Sequence, residues 1–237
     1  MRHPFKYSDV RAAGVVLLRE RAMDREELNP GVLSAMPIFP LPDCVLLPGG
    51  LLPLHVFEER YRDLTRDCLA GPRLMAIARL RSGYETDFHG RPAVYSHIGI
   101  GRVLDSEEQD DGRFLIVLGG IARAGIVQEL PPRRAYREVQ ARLLIDKVSD
   151  PERLRASHEQ LVAMCDHVAH LVEGGDALRE LVRSGQPGQC ADAVAAAIAR
   201  DIDERQELLE CRDPQTRLDR ALELLGALLV KLSPYHN

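Results

Sequence analysis

The chain has 237 residues, 45% hydrophobic and 28% charged, enough to bury a core as one large domain or two modest ones. Its formal net charge of −5 opposes non-specific phosphate binding, so a nucleic-acid role would need a local basic stripe. Aromatics make up 5% and tryptophan is absent, which leaves little material for base-stacking platforms.

Residues 1–35 carry mixed charge, and the segment 10–28 reads as an amphipathic helix broken by Asn29-Pro30-Gly31, either packed on the body or a mobile arm. The stretch MPIFPLPDCVLLPGGLLPLHVFEERY follows, over 36–61. Pro37, Pro40, Pro42, Pro48 and Pro53 interrupt its apolar runs; each fixes φ and removes an amide donor. The runs therefore read as short edge strands and tight corners, with Gly49-Gly50 supplying the bend. Phe57, Tyr61, Leu64 and Cys68 then recur at the spacing of one helical face, and Gly71-Pro72 stops that helix, which is expected at about 58–70.

From 73 to 145 the pattern is that of strands. RLMAIARLR is a continuous apolar run of strand length, buried on both faces. Segments 98–106 and 113–118 flank the acidic turn EEQDDG of hairpin type. Segment 121–130 follows a Gly119-Gly120 kink, and Val139, Ala141, Leu143 and Ile145 alternate as in a half-buried strand. Short strands with turns between them predict a closed or nearly closed barrel, which removes exposed edges. At Ser149-Asp150-Pro151 the period turns helical, with a cap and a proline at the first helical position. Leu154, Leu161, Cys165, Val168 and Val172 hold that spacing, and further helices are expected at 177–183, 191–202, 204–211 and 214–232. The division expected is an arm at 1–35, a β-rich body at 36–148 and a helical subdomain at 149–237.

The PxFPL strand, the LPGxxLPLxVFE corner and the ERYRxL helix together resemble the N-terminal substrate-binding domain of Lon proteases. The resemblance continues through ADAVAAAIARDI, QELLE and the helix from Asp213, and so covers roughly 36–232. It implies an α+β fold in which a PUA-like β-barrel is followed by a C-terminal α-helical bundle. It also implies a non-catalytic module that recognises unfolded or partly folded polypeptide in protein quality control. Recognition would rest on apolar contacts and strand-edge pairing. An RNA-associated PUA-like module and a scaffold for a folded partner remain as alternatives, and a weak homodimer remains open.

No enzymatic machinery is legible. A phosphate loop needs Gly-x4-Gly-Lys-Ser/Thr, and Lys6, Lys147 and Lys231, the only lysines, follow Phe5, Asp146 and Val230. The five residues after Leu232 leave no room for a Ser–Lys peptidase. Cys44, Cys68, Cys165, Cys190 and Cys211 are odd in number and form no CxxC pair; they read as small apolar side chains in a reducing compartment, not as a zinc site or disulfide framework. The short apolar stretch at 12–18 runs into charged sequence, against a secretory signal, and no run approaches the ~20 apolar residues of a membrane span. The expectation is a cytoplasmic protein with neither cofactor nor metal.

Several groups invite chemistry and read better as structure. His55 with Glu58 is a local position that orients the helix, where Glu58 and Glu59 meet the macrodipole. His158, Cys165, His167 and His170 share one helix but lack a complete ligand set. Gly99, Gly101, Gly119 and Gly120 lie in strand-like sequence as bulges or barrel corners. Arg133, Arg134, Arg137 and Arg142 form one basic group that reads as a solvated strand end. The candidate polypeptide-binding surface is the apolar corner of Leu41, Pro42, Leu51, Leu52, Pro53 and Leu54, some of which must face outward at a sheet edge.

Overall fold

The computed structural model describes residues 28–87, 90–171 and 175–232; nearly all of the predicted arm helix, and Val172, lie outside them. The described chain forms two compact units that divide between Leu144 and Ile145.

The first unit opens with α1 (Pro30–Ser34), whose cap Asn29 accepts a hydrogen bond from the Val32 amide at 3.1 Å. Six strands follow: β1 (Met36–Leu41), β2 (Leu51–Val56), β3 (Leu74–Arg79), β4 (His97–Glu108), β5 (Phe114–Glu129) and β6 (Arg137–Leu143). They form a mixed sheet of order β2-β5-β4-β3-β1-β6, and β6 pairs a second time with β5. The pairings thus run from β5 through β4, β3, β1 and β6 back to β5 without a break, with β2 attached outside on β5. Only β1 and β3 are parallel. The β4–β5 hairpin turns at the expected Asp-Gly pair, with Gly112 at φ 77°. The fold is α+β, as the sequence predicts.

One expectation fails within this sheet. β1 is not an edge strand: it lies between β3 and β6. Its two prolines are accommodated because the neighbours are staggered. β6 pairs with Met36 to Ile38 and β3 with Ile38 to Leu41, so Pro37 and Pro40 each have a partner strand on one side only. A missing amide there breaks no ladder.

The helix α2 (Glu59–Ala70) lies between β2 and β3 in the chain. Its Tyr61, Leu64 and Cys68 join Phe39, Leu46, Val56, Met75, Ile77, Val103, Phe114, Ile116, Leu118 and Tyr136 in one buried cluster. The Tyr61 ring stacks on Phe39 with centroids 4.1 Å apart. Phe57, predicted to lead the inward face, instead precedes the helix and is 61% exposed. The 131–136 loop is tied to the helix by Tyr136, whose hydroxyl donates to Asp67 at 2.7 Å, and by the Arg134–Asp67 pair.

The second unit is helical: α3 (Pro151–Ala169), α4 (Gly175–Ser184), α5 (Pro187–Ile198), α6 (Ile202–Glu210) and α7 (Pro214–Leu232). The carboxylate of Asp150 accepts from the amides of Glu152 and Arg153, the cap anticipated before Pro151. The helix expected over 191–202 ends earlier, because Ala199 is extended (ψ 123°) and Asp201 caps α6 by accepting from the Glu204 amide. Leu161, Cys165, Val182, Cys190, Val194, Leu218 and Leu225 are among the side chains that fill the core. Within it lies Arg217, 1% exposed, paired with Asp192 at 2.9 Å and Asp146 at 2.8 Å and donating to the Cys211 carbonyl. A buried guanidinium is tolerated when opposite charge meets it in this way. The same contacts fasten residue 146 to the α6–α7 corner, with Lys147 N–H donating to the Arg212 carbonyl at 2.9 Å.

Candidate functional site

The apolar corner is built around a segment that crosses the sheet. Between β1 and β2, Val45, Leu46 and Leu47 are buried, and their backbone passes directly over Gly99 and Gly120. A β-carbon at Gly99 would lie 2.9 Å from the Leu46 carbonyl carbon, and one at Gly120 would lie 2.9 Å from that of Leu47, with the oxygens closer still. At Gly101 it would lie 2.6 Å from Leu46 Cδ2. These glycines do sit near the bulge between Ile100 and Gly101, as expected of them, but the close crossing is what each requires. The Gly49 amide then donates to Gly120 at 2.9 Å and the Gly120 amide to Gly50 at 2.8 Å, which delivers the chain into β2. Gly49, at φ 75°, makes the bend.

All six corner residues are partly buried. Register decides which way those on β2 point. Leu52 lies opposite Leu118, Leu54 opposite Ile116 and Val56 opposite Phe114, so these three share the face of the buried cluster. Leu51, Pro53 and His55 take the opposite face, across from Gly119, Val117 and Leu115. Leu41, Leu52 and Leu54 pack against the cluster while keeping part of their surface in solvent. Just beyond the strand, the exposed Phe57 meets His55 edge-on, with ring centroids 6.0 Å apart. Sequence reasoning missed Phe57 as a surface group because its spacing to Tyr61 fits a helical face, whereas Glu58 at ψ 136° keeps it out of the helix.

The Glu58 carboxylate accepts from Arg60 at 3.1 Å, so its pairing is within the helix start. His158 sits 3.1 Å from the Val182 carbonyl, and Cys165 lies in the helical core, where burial pushes its thiol up to about 11. Burial likewise raises Cys68 and Cys190 to about 12; Cys68 donates to the Leu74 carbonyl and Cys190 to that of Val182. Among the described residues no three ligating side chains converge on a metal position. The arginine group is not a common surface. Arg137 is buried and donates through two nitrogens to Glu129, at 2.7 and 2.8 Å. Arg134 pairs with Asp67 and Glu138. Arg133 and Arg142 are exposed. No helix among the described residues is long and apolar enough to cross a membrane.

Comparison with known proteins extends over nearly the whole described chain. Residues 35–227 match the family described as the ATP-dependent protease La (LON) substrate-binding domain. Lon protease 2 of Myxococcus xanthus is 29% identical over 214 residues, which cover 86% of this chain and 26% of that protein. The Lon protease of Anaeromyxobacter dehalogenans is 30% identical over 198 residues, 81% of this chain and 23% of that protein. The chain thus spans about a quarter of the length of these relatives. Among solved structures, a Lon N-terminal domain protein from Xanthomonas campestris superposes with a TM-score of 0.57 at 24% identity, covering 80% of this chain and 98% of that one. The N-terminal domain of a Mycobacterium avium complex Lon protease gives 0.61 at 20% identity, covering 81% and 98%. These two likenesses speak for the fold.

Proposed function

The chain belongs to the LON substrate-binding domain family, and on that premise we propose that it is a non-catalytic module of protein quality control that binds unfolded or partly folded polypeptides. The surface is the corner of Leu41, Pro42, Leu51, Leu52, Pro53 and Leu54. One observation carries this reading: Leu51, Leu52, Pro53 and Leu54 stay partly in solvent on β2, the outer strand of the sheet, which leads to a phenylalanine that is 61% exposed, and Leu41 and Pro42 at the end of β1 are likewise half-buried. Apolar surface left uncovered in this way marks a place of contact. Contacts of this kind are non-directional and tolerate many sequences, which suits a partner defined by being unfolded and not by its sequence. Cys44, Cys68, Cys165, Cys190 and Cys211 form no disulfide, which fits a reducing, cytoplasmic setting.

The test is Phe57→Ser combined with Leu51→Ser, assayed by binding of a permanently unfolded model protein and by thermal melting. Each lost apolar contact is worth up to about 1.5–3 kcal/mol of burial, so affinity is expected to fall at least about tenfold. Neither side chain belongs to the buried cluster beneath α2, so the melting temperature is expected to stay close to that of the parent. Unchanged binding by the folded double variant would move the site away from this corner.

A further inference from the structure

β2 has one neighbour, β5, and its other edge carries no strand among the described residues. The bond from the Gly120 amide to the Gly50 carbonyl settles which groups face that open edge. In an antiparallel pair, residues that exchange hydrogen bonds alternate with residues that do not. With Gly50 bonded to β5, Leu52, Leu54 and Val56 direct their amides and carbonyls to β5, and Leu51, Pro53 and His55 direct theirs away. Pro53 therefore stands in the middle of the outward row. The row offers three carbonyls but only two amides, and the pyrrolidine ring fills the place where an approaching carbonyl would seat.

We propose that Pro53 is the specificity-determining residue of the corner: it bars partners that would extend the sheet from β2 and leaves the surface to partners that dock through side chains. This rests on the reading of the corner as a polypeptide site. β2 is six residues long, so an interruption at Pro53 leaves one bonded position on either side, too few for a stable ladder. Self-pairing meets the same obstacle. Two copies of β2 aligned antiparallel about Pro53 would set each Pro53 carbonyl against the pyrrolidine nitrogen of the other copy, where no donor meets it. Sliding the register by two residues sets Pro53 opposite Leu51 of the other copy, and each such pair lacks one amide. An apolar segment of an unfolded chain escapes the obstacle by resting its side chains on Leu51 and Phe57, neither of which belongs to the cluster, without continuous backbone pairing.

Two measurements on the full chain test this. The first is sedimentation velocity of Pro53→Val, which restores the outward amide. Self-association is expected to tighten by about tenfold or more over the parent, at an unchanged melting temperature. If Pro53→Val does not fold, Pro53→Ala restores the same amide and is read identically. A folded variant that sediments as the parent does overturns the proposal. The second uses a soluble peptide of alternating leucine and serine with lysines at both ends, and its counterpart N-methylated at every second amide. The parent is expected to bind the two within about twofold, and Pro53→Val to prefer the unmethylated peptide by about tenfold. A parent that loses about tenfold on N-methylation uses a backbone ladder, which refutes the role given to Pro53. If neither peptide binds the parent, the polypeptide-site reading falls, and the sedimentation of Pro53→Val still decides whether Pro53 guards the edge.

Discussion

Gly120→Ala adds one methyl group where the chain crosses itself, and its cost can be worked from the contacts. The new carbon would stand 2.9 Å from the Leu47 carbonyl carbon and 3.3 Å from Leu46 Cδ1. Comfortable carbon contacts begin at roughly 3.5 Å. The obstructing atoms are backbone, and three hydrogen bonds hold them: Gly49 to Gly120 at 2.9 Å, Gly120 to Gly50 at 2.8 Å and Gly50 to Leu47 at 3.0 Å. The crossing segment cannot yield without breaking at least one of these, a loss of about 1 kcal/mol each, on top of about 1–3 kcal/mol for overpacking. The expected destabilisation is about 3 kcal/mol. For a chain of this size each kcal/mol lowers the melting temperature by about 2–4 °C, so a fall of about 6–12 °C should appear in a thermal melt followed by circular dichroism. Gly226→Ala is the internal control. Gly226 lies in the interior of α7 with nothing within 4 Å of its added carbon, so the same methyl should stabilise the helical unit by about 0.5–1 kcal/mol. Equal melting of Gly120→Ala and the parent would show that the crossing is not the reason for the glycine.

Three further outcomes are expected. Cys68, Cys165 and Cys190, held protonated by burial, should react with an aromatic disulfide reagent only on unfolding; fast modification of any of them in the native protein would contradict the burial. Burial acts to raise the Glu129 carboxyl, but its bonds to Arg137 and the charges of Arg137 and Arg91 outweigh that and hold it below the usual carboxylate range. Its contribution is thus present above the ordinary glutamate pKa and lost as pH falls through the lowered folded value. Glu129→Gln should therefore destabilise at neutral pH and converge with the parent in acid, as read from urea midpoints across pH; a constant gap would refute the linkage. We also propose that the two units are separate domains, with the boundary at Leu144 and Ile145, a few residues before the expected 148. Residues 145–150 are all exposed, and trypsin should cut first among accessible sites there, at Lys147, to leave two folded fragments. A first stable fragment starting inside the strand unit, near Gly83, would refute it.

What was legible in the sequence was mostly local chemistry. Asp150-Pro151 and Asp213-Pro214 announced the starts of α3 and α7, and the Asp-Gly pair announced the β4–β5 turn, because caps and positive φ act within a few residues. The place of β1 between two strands was hidden, since a proline argues against a central strand only if both neighbours reach it, and that stagger is a long-range fact. The demands on Gly99 and Gly120 were hidden for the same reason: the segment that presses on them lies more than fifty residues earlier in the chain. Arg217 offered no signal either. An arginine in a leucine-rich helix reads as a surface residue until Asp192 and Asp146 are seen to meet it.

The corner was readable as an apolar group but not as two faces. Composition says that Leu51, Leu52, Pro53 and Leu54 crowd together; only the pairing with β5 says that Leu52 and Leu54 turn toward the cluster beneath α2 while Leu51 and Pro53 turn away. That distinction changes what a mutation measures. Replacing Leu52 and Leu54 by serine removes surface that a client could use and also opens space beside Val56, Ile116 and Leu118, where large-to-small changes cost about 2–5 kcal/mol when fully buried. Weak binding by such a variant would report a loosened core as readily as a lost contact. Leu51 and Phe57 carry no such ambiguity, because neither belongs to that cluster. The residues best placed to reveal a polypeptide site are therefore those the fold needs least, and one of them, Phe57, is a residue whose sequence spacing assigns it to the interior.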